Sequence, residues 1–341
     1  MTMELLSAAR FTIQELADLY NRTRVDYLVP MPMNASRLKE YVRDFDVDLS
    51  RSCVARDADG QILGLSMLGA RPKRAWITRL GVLPATRRHG IGSALMDCML
   101  QNASDLGAEE TLLEVIKNNT PAHNLFLGKG FKETGEWLVM RRAPHPIPGQ
   151  PRGNAELLTR EETLETLRGY PRYPTWINAF ESMRNAMDIE GMRIRLSNGG
   201  AGWIVYRNNK FTLRFTLSHL VMRTEQGDPG EVGAELLSQL HIRYPRYDTY
   251  AENISRDDPH LPVFHALGYF ENFSRIEMCR TAASPPPPAV YPMDDNDQAS
   301  SFERKPPGER RLRNYPAVLL GEGKKASTRD HNSRILMGLD I

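Results

Sequence analysis

The chain has 341 residues, of which 41% are apolar and 25% are charged, and its formal net charge is +2. This composition is typical of a soluble globular protein, and the length corresponds to about two domains. So small a net charge gives no reason to expect a nucleic-acid-binding surface, and no apolar run approaches the ~20 residues that cross a bilayer. The three cysteines, Cys53, Cys98 and Cys279, are widely spaced. They exclude a disulfide framework and predict buried, reduced thiols in a cytoplasmic protein.

Two proline-rich stretches divide the chain. Residues 143–153 contain four prolines and two glycines, and residues 285–288 are consecutive prolines. Proline fixes φ and removes a backbone donor, so neither stretch continues a helix or a central strand. We therefore predict an N-terminal domain over residues 1–142, a linker over 143–155, a C-terminal domain over 156–283 and a disordered tail over 284–341.

The first segment alternates helix and strand signals. The apolar spacing over residues 11–22 predicts a helix, and apolar runs at 52–55 and 62–70, separated by Asp-Gly, predict a β-hairpin. A strand, a helix, a strand, a helix and a final strand are then predicted over residues 75–83, 92–106, 111–116, 120–127 and 131–140. An antiparallel start followed by a βαβ unit predicts an α/β fold.

A glycine-containing loop joins the strand that ends at Pro84 to the helix that follows. Gly90 and Gly92 let the backbone approach a ligand closely, and a helix N-terminus offers free N–H groups and a partial positive charge. Such a loop is suited to a phosphate or a pyrophosphate. It matches neither the Walker pattern nor the Gly-x-Gly-x-x-Gly of dinucleotide-binding folds. The alternative is an ordinary strand-to-helix turn, in which both glycines serve only the backbone.

Two motifs resemble the GNAT superfamily of N-acetyltransferases. The family's acetyl-CoA loop reads Arg/Gln-x-x-Gly-x-Gly/Ala after a strand that ends in Val-x-Pro, and here residues 87–92 follow Val82 and Pro84. The family's second region reads Glu-Val, Asn, Ala, Leu-Tyr and Gly-Phe. The corresponding residues here are Glu114, Val115, Asn119, Ala122, Leu125, Phe126, Gly130 and Phe131. The resemblance covers residues 1–142.

The resemblance implies an enzyme that uses acetyl-CoA as co-substrate and needs no metal. The backbone of residues 88–93 is expected to hold the pyrophosphate, and the backbone of Leu80 and Val82 to bind the pantetheine arm and polarise the thioester carbonyl. For Asn119, a helix cap and a cofactor contact are both open. The cofactor-binding residues that the resemblance implies are Leu80, Val82, Arg87, Arg88, His89, Gly90, Ile91, Gly92, Ser93, Asn119 and Phe126.

One carboxylate and one missing hydroxyl stand out in the second region. Glu114 lies in an apolar run, and some family members use a glutamate at a similar position as the catalytic base, directly or through water. The alternative is a glutamate on the solvent face of an edge strand. Phe126 departs from the family's tyrosine, which protonates the leaving thiolate, because phenylalanine has no donor. We interpret Phe126 as packing against the cofactor arm or the core. The proton then comes from water or another hydroxyl, or the thiolate leaves unassisted.

The second segment contains a fainter copy of the first. Glu252 precedes Tyr269 by the same interval at which Glu114 precedes Phe131, and a repeat of this length indicates two copies of one fold. Strands are predicted over residues 200–206, 211–217, 220–223, 247–254 and 274–278, and a helix over 233–242. The predicted fold class is therefore α/β, with two tandem acyl-CoA N-acyltransferase (GNAT) folds, each a mixed central sheet flanked by helices.

The second copy is predicted to be degenerate. The counterpart of its phosphate loop, residues 224–233, lacks the arginine and carries Glu225, Asp228 and Glu231. Acidic side chains there would repel a pyrophosphate. We therefore expect this copy to support the first domain and to help shape the acceptor site, in preference to forming a second working site.

These observations predict an acetyl-CoA-dependent N-acetyltransferase that moves an acetyl group to a primary amine by direct attack on the thioester. The alternative, which Phe126 favours, is a non-catalytic acyl-CoA-binding or regulatory protein. The expected acceptor is a small-molecule amine or a peptide amine, with no nucleic acid or membrane partner, and the eight histidines show no metal-ligand spacing. The aromatic residues expected either to wall the acceptor cleft or to pack the core are Tyr27, Tyr170, Tyr173 and Trp176.

Overall fold

The computed structural model describes residues 3–147, 152–169, 175–209 and 215–282. The predicted tail, part of the predicted linker, Tyr170 and Tyr173 lie outside the described residues. The α-helices of these residues are α1 (Ile13–Thr23), α2 (Ala35–Asp44), α3 (Ile91–Asp105), α4 (Thr120–Gly128), α5 (Arg160–Arg168), α6 (Phe180–Asn185), α7 (Pro229–Arg243) and α8 (Leu261–Ala266). The strands are β1 (Met3–Ser7), β2 (Cys53–Asp57), β3 (Ile62–Arg71), β4 (Arg74–Val82), β5 (Glu110–Ile116), β6 (Lys132–Arg142), β7 (Asn154–Leu158), β8 (Ile189–Arg195), β9 (Ala201–Asn209), β10 (Thr216–Gln226), β11 (Asp248–Ser255) and β12 (Phe270–Thr281).

These strands form one 12-stranded mixed sheet with the order β1-β2-β3-β4-β5-β12-β6-β11-β10-β9-β8-β7. The pairs β4–β5 and β10–β11 are parallel, and the other neighbours are antiparallel. The predicted α/β fold with a mixed sheet is confirmed. Within the described part of the chain, no helix is both long enough and apolar enough to cross a bilayer.

The last strand of each segment is exchanged into the other half of the sheet. β12, from the second segment, lies between β5 and β6. β6, from the first segment, lies between β12 and β11. β5 is therefore an interior strand, and its neighbour on one side comes from the second segment.

In each half of the sheet, the two parallel strands are paired only over a few residues and then diverge. β4 and β5 pair only where residues 74–77 face residues 110–113, and they diverge beyond that point. In the second half, β10 and β11 pair only at residues 216–217 and 248–249. Each divergence begins beside a residue with positive φ, Arg79 in β4 (φ 55°) and His219 in β10 (φ 51°). A strand irregularity of this kind is what separates two neighbouring backbones.

The predicted elements of the first segment are present, with small shifts at their ends. α1 begins after Thr12, whose hydroxyl accepts from the Glu15 N–H while the Glu15 carboxylate accepts from the Thr12 N–H, a capping box. β1 and α2 were not predicted. For β1 the reason is its length of five residues, of which only Leu6 is buried. The two strands predicted over 211–217 and 220–223 were wrong where they can be checked, since residues 216–226 form one strand. Its apolar pattern is interrupted by the bulge at His219 rather than by a turn.

The packing decides one open alternative, for Trp176, and corrects one expectation, for two of the cysteines. Trp176 is 1% exposed, stacks on Trp76 with 5.7 Å between ring centroids, and donates its indole N–H to the Phe45 carbonyl at 2.9 Å. It therefore belongs to the core and not to a cleft wall. Cys53 and Cys98 are joined by a disulfide, so the expectation of three reduced thiols was wrong for this pair. β2 packs against α3 and places the two side chains together, which their distance in sequence does not indicate.

Candidate active site

The divergence of β4 and β5 leaves a cleft of about 120 Å³. The elements around it are β4, β5, α4, α2 and the segment after α1, together with β12 and the segment before α6 from the second half. The predicted site residues on its wall are Leu80, Glu114, Asn119 and Phe126. Glu114, Asn119 and Phe126 come from the second motif, and Leu80 lies on the strand just before the first. The remaining predicted site residues, Val82 and residues 87–93, do not line this cleft.

The loop before α3 presents a row of free backbone donors. Gly90 is the N-cap of α3 with φ 78°, and Arg88 also has positive φ at 65°. The first helical bond runs from the Ala94 N–H to the Gly90 carbonyl, and no described residue accepts from the backbone N–H groups of residues 88–93. A Cβ built on Gly90 meets no atom within 4 Å, so the approach to these donors is open. Donors of this kind at a helix N-terminus fit a phosphate or pyrophosphate group.

Arg87 braces the loop from behind. Its guanidinium donates to both carboxylate oxygens of Asp26 at 2.6 and 2.7 Å, to the Thr23 carbonyl at 3.1 Å and to the Val82 carbonyl at 3.1 Å. The hydrogen bonds from Arg87 lower the pKa of Asp26. The Arg87 side chain is therefore committed to the segment after α1, and what this residue offers a ligand is the shape of the loop. His89 is exposed, and its ring approaches only the Thr86 carbonyl at 3.3 Å.

The end of β4 offers backbone groups to the cleft. Val82 faces Gly64 of β3, and the Leu83 N–H donates to the Leu63 carbonyl at 2.8 Å. In an antiparallel pair of this type the N–H of Val82 points away from β3, and β5 has already diverged on that side. The Leu80 carbonyl, in contrast to the Val82 N–H, already has a partner in the protein, because it accepts from the Arg24 guanidinium at 3.3 Å.

Glu114 is held by two side chains that sequence reasoning missed. Its side chain is only 9% exposed. One carboxylate oxygen accepts from the Asn253 amide at 2.9 Å, and the other accepts from the Arg275 guanidinium at 3.1 Å. Glu114 is therefore not on the solvent face of an edge strand, because β12 covers β5. No linear signal pointed to Asn253 or Arg275, since both come from the second segment.

A second buried carboxylate lies behind Arg275. Glu252 is 1% exposed, and one of its oxygens accepts from the second nitrogen of the Arg275 guanidinium at 3.3 Å. Burial raises the pKa of Glu252 to about 7, while the charge of Arg275 opposes that rise. The imidazole of His219 lies 3.7 Å from the other oxygen, and burial holds its pKa well below the usual value, so this ring is neutral. We call Glu114, Asn253, Arg275 and Glu252 the carboxylate cluster.

The other side of the cleft carries the two residues from α4. Asn119 is the N-cap of α4, but its side chain makes no capping hydrogen bond. Its amide instead approaches the Tyr27 hydroxyl at 3.4 Å on the cleft wall. Phe126 is 6% exposed and packs against Phe131 with 6.3 Å between ring centroids. Phe126 therefore packs in the core and also lines the cleft wall, and it offers the cleft no hydrogen-bond donor.

The corresponding place in the second half is closed to an anion. α7 has Asp228 as its N-cap, and the Asp228 carboxylate accepts from the Glu231 N–H at 2.9 Å. A protein carboxylate therefore occupies the position that a phosphate would need, and Glu231 adds a second negative charge to the first turn. Among the residues that the structure describes, no group of three or more potential ligands is arranged to hold a metal ion.

Known proteins are similar in sequence to the first segment of this chain. Residues 13–131 match the model of the Acetyltransferase (GNAT) family. An N-alpha-acetyltransferase of Sulfurisphaera tokodaii is 30% identical over 138 residues, which cover 37% of this chain and 78% of that protein. A mycothiol acetyltransferase of Clavibacter sepedonicus is 32% identical over 111 residues, but the match covers only 33% of this chain and 36% of the relative.

Solved structures share the fold over about four fifths of this chain. A tandem GNAT protein from the clavulanic acid biosynthesis pathway has a TM-score of 0.59 over 82% of this chain and 98% of its own, at 15% identity. A GCN5-related N-acetyltransferase from Sphaerobacter thermophilus has a TM-score of 0.57 over 82% of this chain and 95% of its own, also at 15% identity. At such identities the likeness concerns the fold alone. The sequence match at 30% identity across 78% of the Sulfurisphaera protein shows that the chain belongs to the GNAT family of acetyltransferases.

Proposed function

We propose that the protein is an acetyl-CoA-dependent N-acetyltransferase whose working site is in the first half. The observation that carries this proposal is the layout around the cleft. β4 lines the cleft at Leu80 and ends at Val82, just before the loop with free amides, and Glu114 lies across the cleft on β5. A donor row for a pyrophosphate, a backbone edge for an extended arm and a carboxylate follow one another in the order that acetyl transfer needs.

The residues divide the work as follows. The N–H groups of residues 88–93 bind the pyrophosphate, and the Val82 N–H binds the pantetheine arm and helps to polarise the thioester carbonyl. Glu114 takes the proton from the amine, directly or through water, so that the neutral nitrogen attacks the carbonyl carbon. The attack gives a tetrahedral intermediate whose nitrogen still carries an extra proton. The C–S bond then breaks, the CoA thiolate leaves, and the nitrogen gives that proton to water, which yields the amide. Because Phe126 has no donor, the thiolate is protonated by water or by a wall hydroxyl from Tyr27, Tyr41 or Thr78.

The acceptor is a primary amine of a small molecule or of a peptide. The relatives reported above differ in name, a mycothiol acetyltransferase and an N-alpha-acetyltransferase, and each matches only part of this chain, so neither name fixes the acceptor. The aromatic side chains that reach the described cleft wall are Tyr27, Tyr41, Trp76 and Phe126. They favour an acceptor with an apolar face next to its amine.

Thiol release from acetyl-CoA, measured with a panel of small amines and peptides, tests the activity. We expect Glu114→Gln to lower kcat by about 100- to 10,000-fold while CoA binding is unchanged, because it removes a base and no cofactor contact. Glu110→Gln is the matched control, since Glu110 lies on the same strand but is exposed and pairs with Arg74. Saturable CoA binding without thiol release on any amine would instead support the non-catalytic alternative.

A further inference from the structure

The carboxylate of Glu114 is oriented entirely by residues of the second half. Asn253 and Arg275 donate to its two oxygens, at 2.9 and 3.1 Å. Arg275 reaches this place because β12 is exchanged into the first half and pairs directly with β5. The half of the chain whose own phosphate site is closed therefore contributes to the site that is open.

Asn253 is aimed at Glu114 by a bulge. The pairing of β11 with β6 shifts register at Glu252 and Asn253, and Asn253 has φ 58°. Asparagine tolerates this left-handed conformation better than most residues, and bulges re-aim side chains beside active sites. The amide of Asn253 is fixed on both sides. Its nitrogen donates to Glu114 and to the Thr175 hydroxyl at 2.8 Å, and its oxygen accepts from Arg275 at 2.8 Å.

Arg275 is shared between two carboxylates. Its side chain is 4% exposed, and its two terminal nitrogens donate to Glu114 and to Glu252. A planar guanidinium held at both ends cannot rotate, so the oxygen of Glu114 that it contacts is also fixed. A base works best when its lone pair is held within hydrogen-bond reach of the proton that it removes.

We propose that Asn253 and Arg275 are positioning residues for acetyl transfer, which fix the orientation of the Glu114 carboxylate from the second half. This inference rests on the proposed function of Glu114 as the base. The second half then acts in the reaction through one carboxylate of the first half, and it needs no cofactor of its own for this role.

Asn253→Gly is the test variant, because glycine adopts the left-handed φ without strain and removes only the side chain. We expect kcat to fall about 10- to 100-fold, since a misoriented base loses its alignment. The KM for acetyl-CoA should stay within about twofold of the original value, because the loop at residues 88–93 does not contact Asn253. Arg275→Lys is the second variant. We expect kcat to fall because lysine bridges the two carboxylates poorly, but to fall less than in Asn253→Gly because lysine keeps the positive charge.

A double-mutant cycle separates positioning from general damage. If Asn253 acts through Glu114, adding Asn253→Gly to Glu114→Gln causes no further loss of kcat. Asn208→Ala is the matched control, since Asn208 is also a buried asparagine of the second half and donates to the Glu190 carboxylate at 2.9 Å, not to a residue of the carboxylate cluster. We expect its kcat to be close to that of the unchanged protein.

The outcomes distinguish this inference from the proposed function. An Asn253→Gly protein with undiminished kcat, next to an inactive Glu114→Gln protein, would overturn the inference and leave the base in place. An equal loss from Asn253→Gly in the presence and absence of Glu114→Gln would also overturn it, because the effect would then be structural. A fully active Glu114→Gln protein would remove the base itself, and with it the reason to position that carboxylate.

Discussion

Gly90 is the position in the candidate site where the backbone conformation most requires a glycine. Its φ of 78° lies in the left-handed region, and the N–H groups that follow it have no described acceptor. A side chain at this position would be strained and would point into open space beside those donors. The same conformation recurs in Gly107 at the other end of α3, with φ 70° and no atom within 4 Å of a Cβ. These two glycines differ only in which end of the helix they serve.

We expect Gly90→Glu to weaken CoA binding by about 100-fold or more, because it adds strain and a negative charge next to the pyrophosphate site. Gly107→Glu adds comparable strain and the same charge at the opposite end of α3, and it should leave CoA binding unchanged. Isothermal titration of both proteins with CoA measures the difference. Equal affinities for the two variants would show that the loop before α3 is not the phosphate site.

Glu252 makes the stability of the protein depend on pH. Its folded-state pKa is about 7, because burial outweighs the charge of Arg275, whereas the ordinary value is 4.5. Between these two values the folded state keeps a proton that the unfolded state has lost, so the free energy of unfolding falls as pH rises through this window. The neighbouring His219 has a lowered pKa and gives the opposite slope below 6.5. The contribution of His219 cancels when the unchanged protein is compared with Glu252→Gln, because both proteins contain this histidine.

Glu252→Gln should remove this part of the pH dependence. From pH 5 to pH 8, we expect the unchanged protein to lose on the order of 2 kcal/mol more unfolding free energy than the variant does. Urea denaturation at both pH values measures the loss in each protein. Parallel pH dependence in the two proteins would mean that Glu252 is ionised to the same extent when folded and when unfolded.

The loop before α3 is held to the segment after α1 by the side chain of Arg87. Arg87 ties them together through Asp26, Thr23 and Val82, although its side chain is 39% exposed. An exposed ion pair of this kind adds little to global stability. Its effect is therefore expected on the geometry of the donor row and not on the fold.

We expect Arg87→Ala to raise the KM for acetyl-CoA about tenfold with kcat nearly unchanged, because the loop loses its brace while Glu114 is untouched. The melting temperature should change little. Arg56→Ala is the matched control, since Arg56 forms a similarly exposed pair with Glu4 far from the cleft. A fall in kcat at unchanged KM would contradict a bracing role for Arg87.

At the scale of the whole molecule, the exchanged strands make the two segments depend on each other. In the first segment alone, β5 would lose β12, and β6 would have no neighbour left among the described strands. Unpaired strands with apolar faces do not fold stably and tend to aggregate. The shared sheet also explains why the carboxylate cluster is complete only when both segments are present.

We therefore expect a fragment of residues 1–147 to be insoluble or unfolded, and the same for residues 152–341. Co-expression of the two fragments should restore a soluble complex, because every strand then finds its neighbours. Circular dichroism and gel filtration of each preparation provide the readout. A cooperatively folded fragment 1–147 would mean that β6 can pair with β5 directly.

The sequence by itself determined the parts that rest on local pattern. Hairpin chemistry at residues 57–60 and apolar periodicity predicted most elements of the first segment, and the two motifs singled out the loop at residues 87–92 and Glu114 as candidates for the site. The acidic residues of the counterpart loop are also visible in the sequence, and the structure places the Asp228 carboxylate at that helix start. These features lie within a few residues of one another, so the linear chain records them.

Only the tertiary structure decided which distant residues meet. Strand exchange brings Arg275 to Glu114, a bulge aims Asn253, and the packing of β2 on α3 joins Cys53 to Cys98. It also placed Trp176 in the core and committed the Arg87 side chain to Asp26. Such contacts join segments that are far apart along the chain, and the free energy that selects them comes from burial and charge pairing in the assembled sheet. No local pattern of apolar or polar residues records that choice.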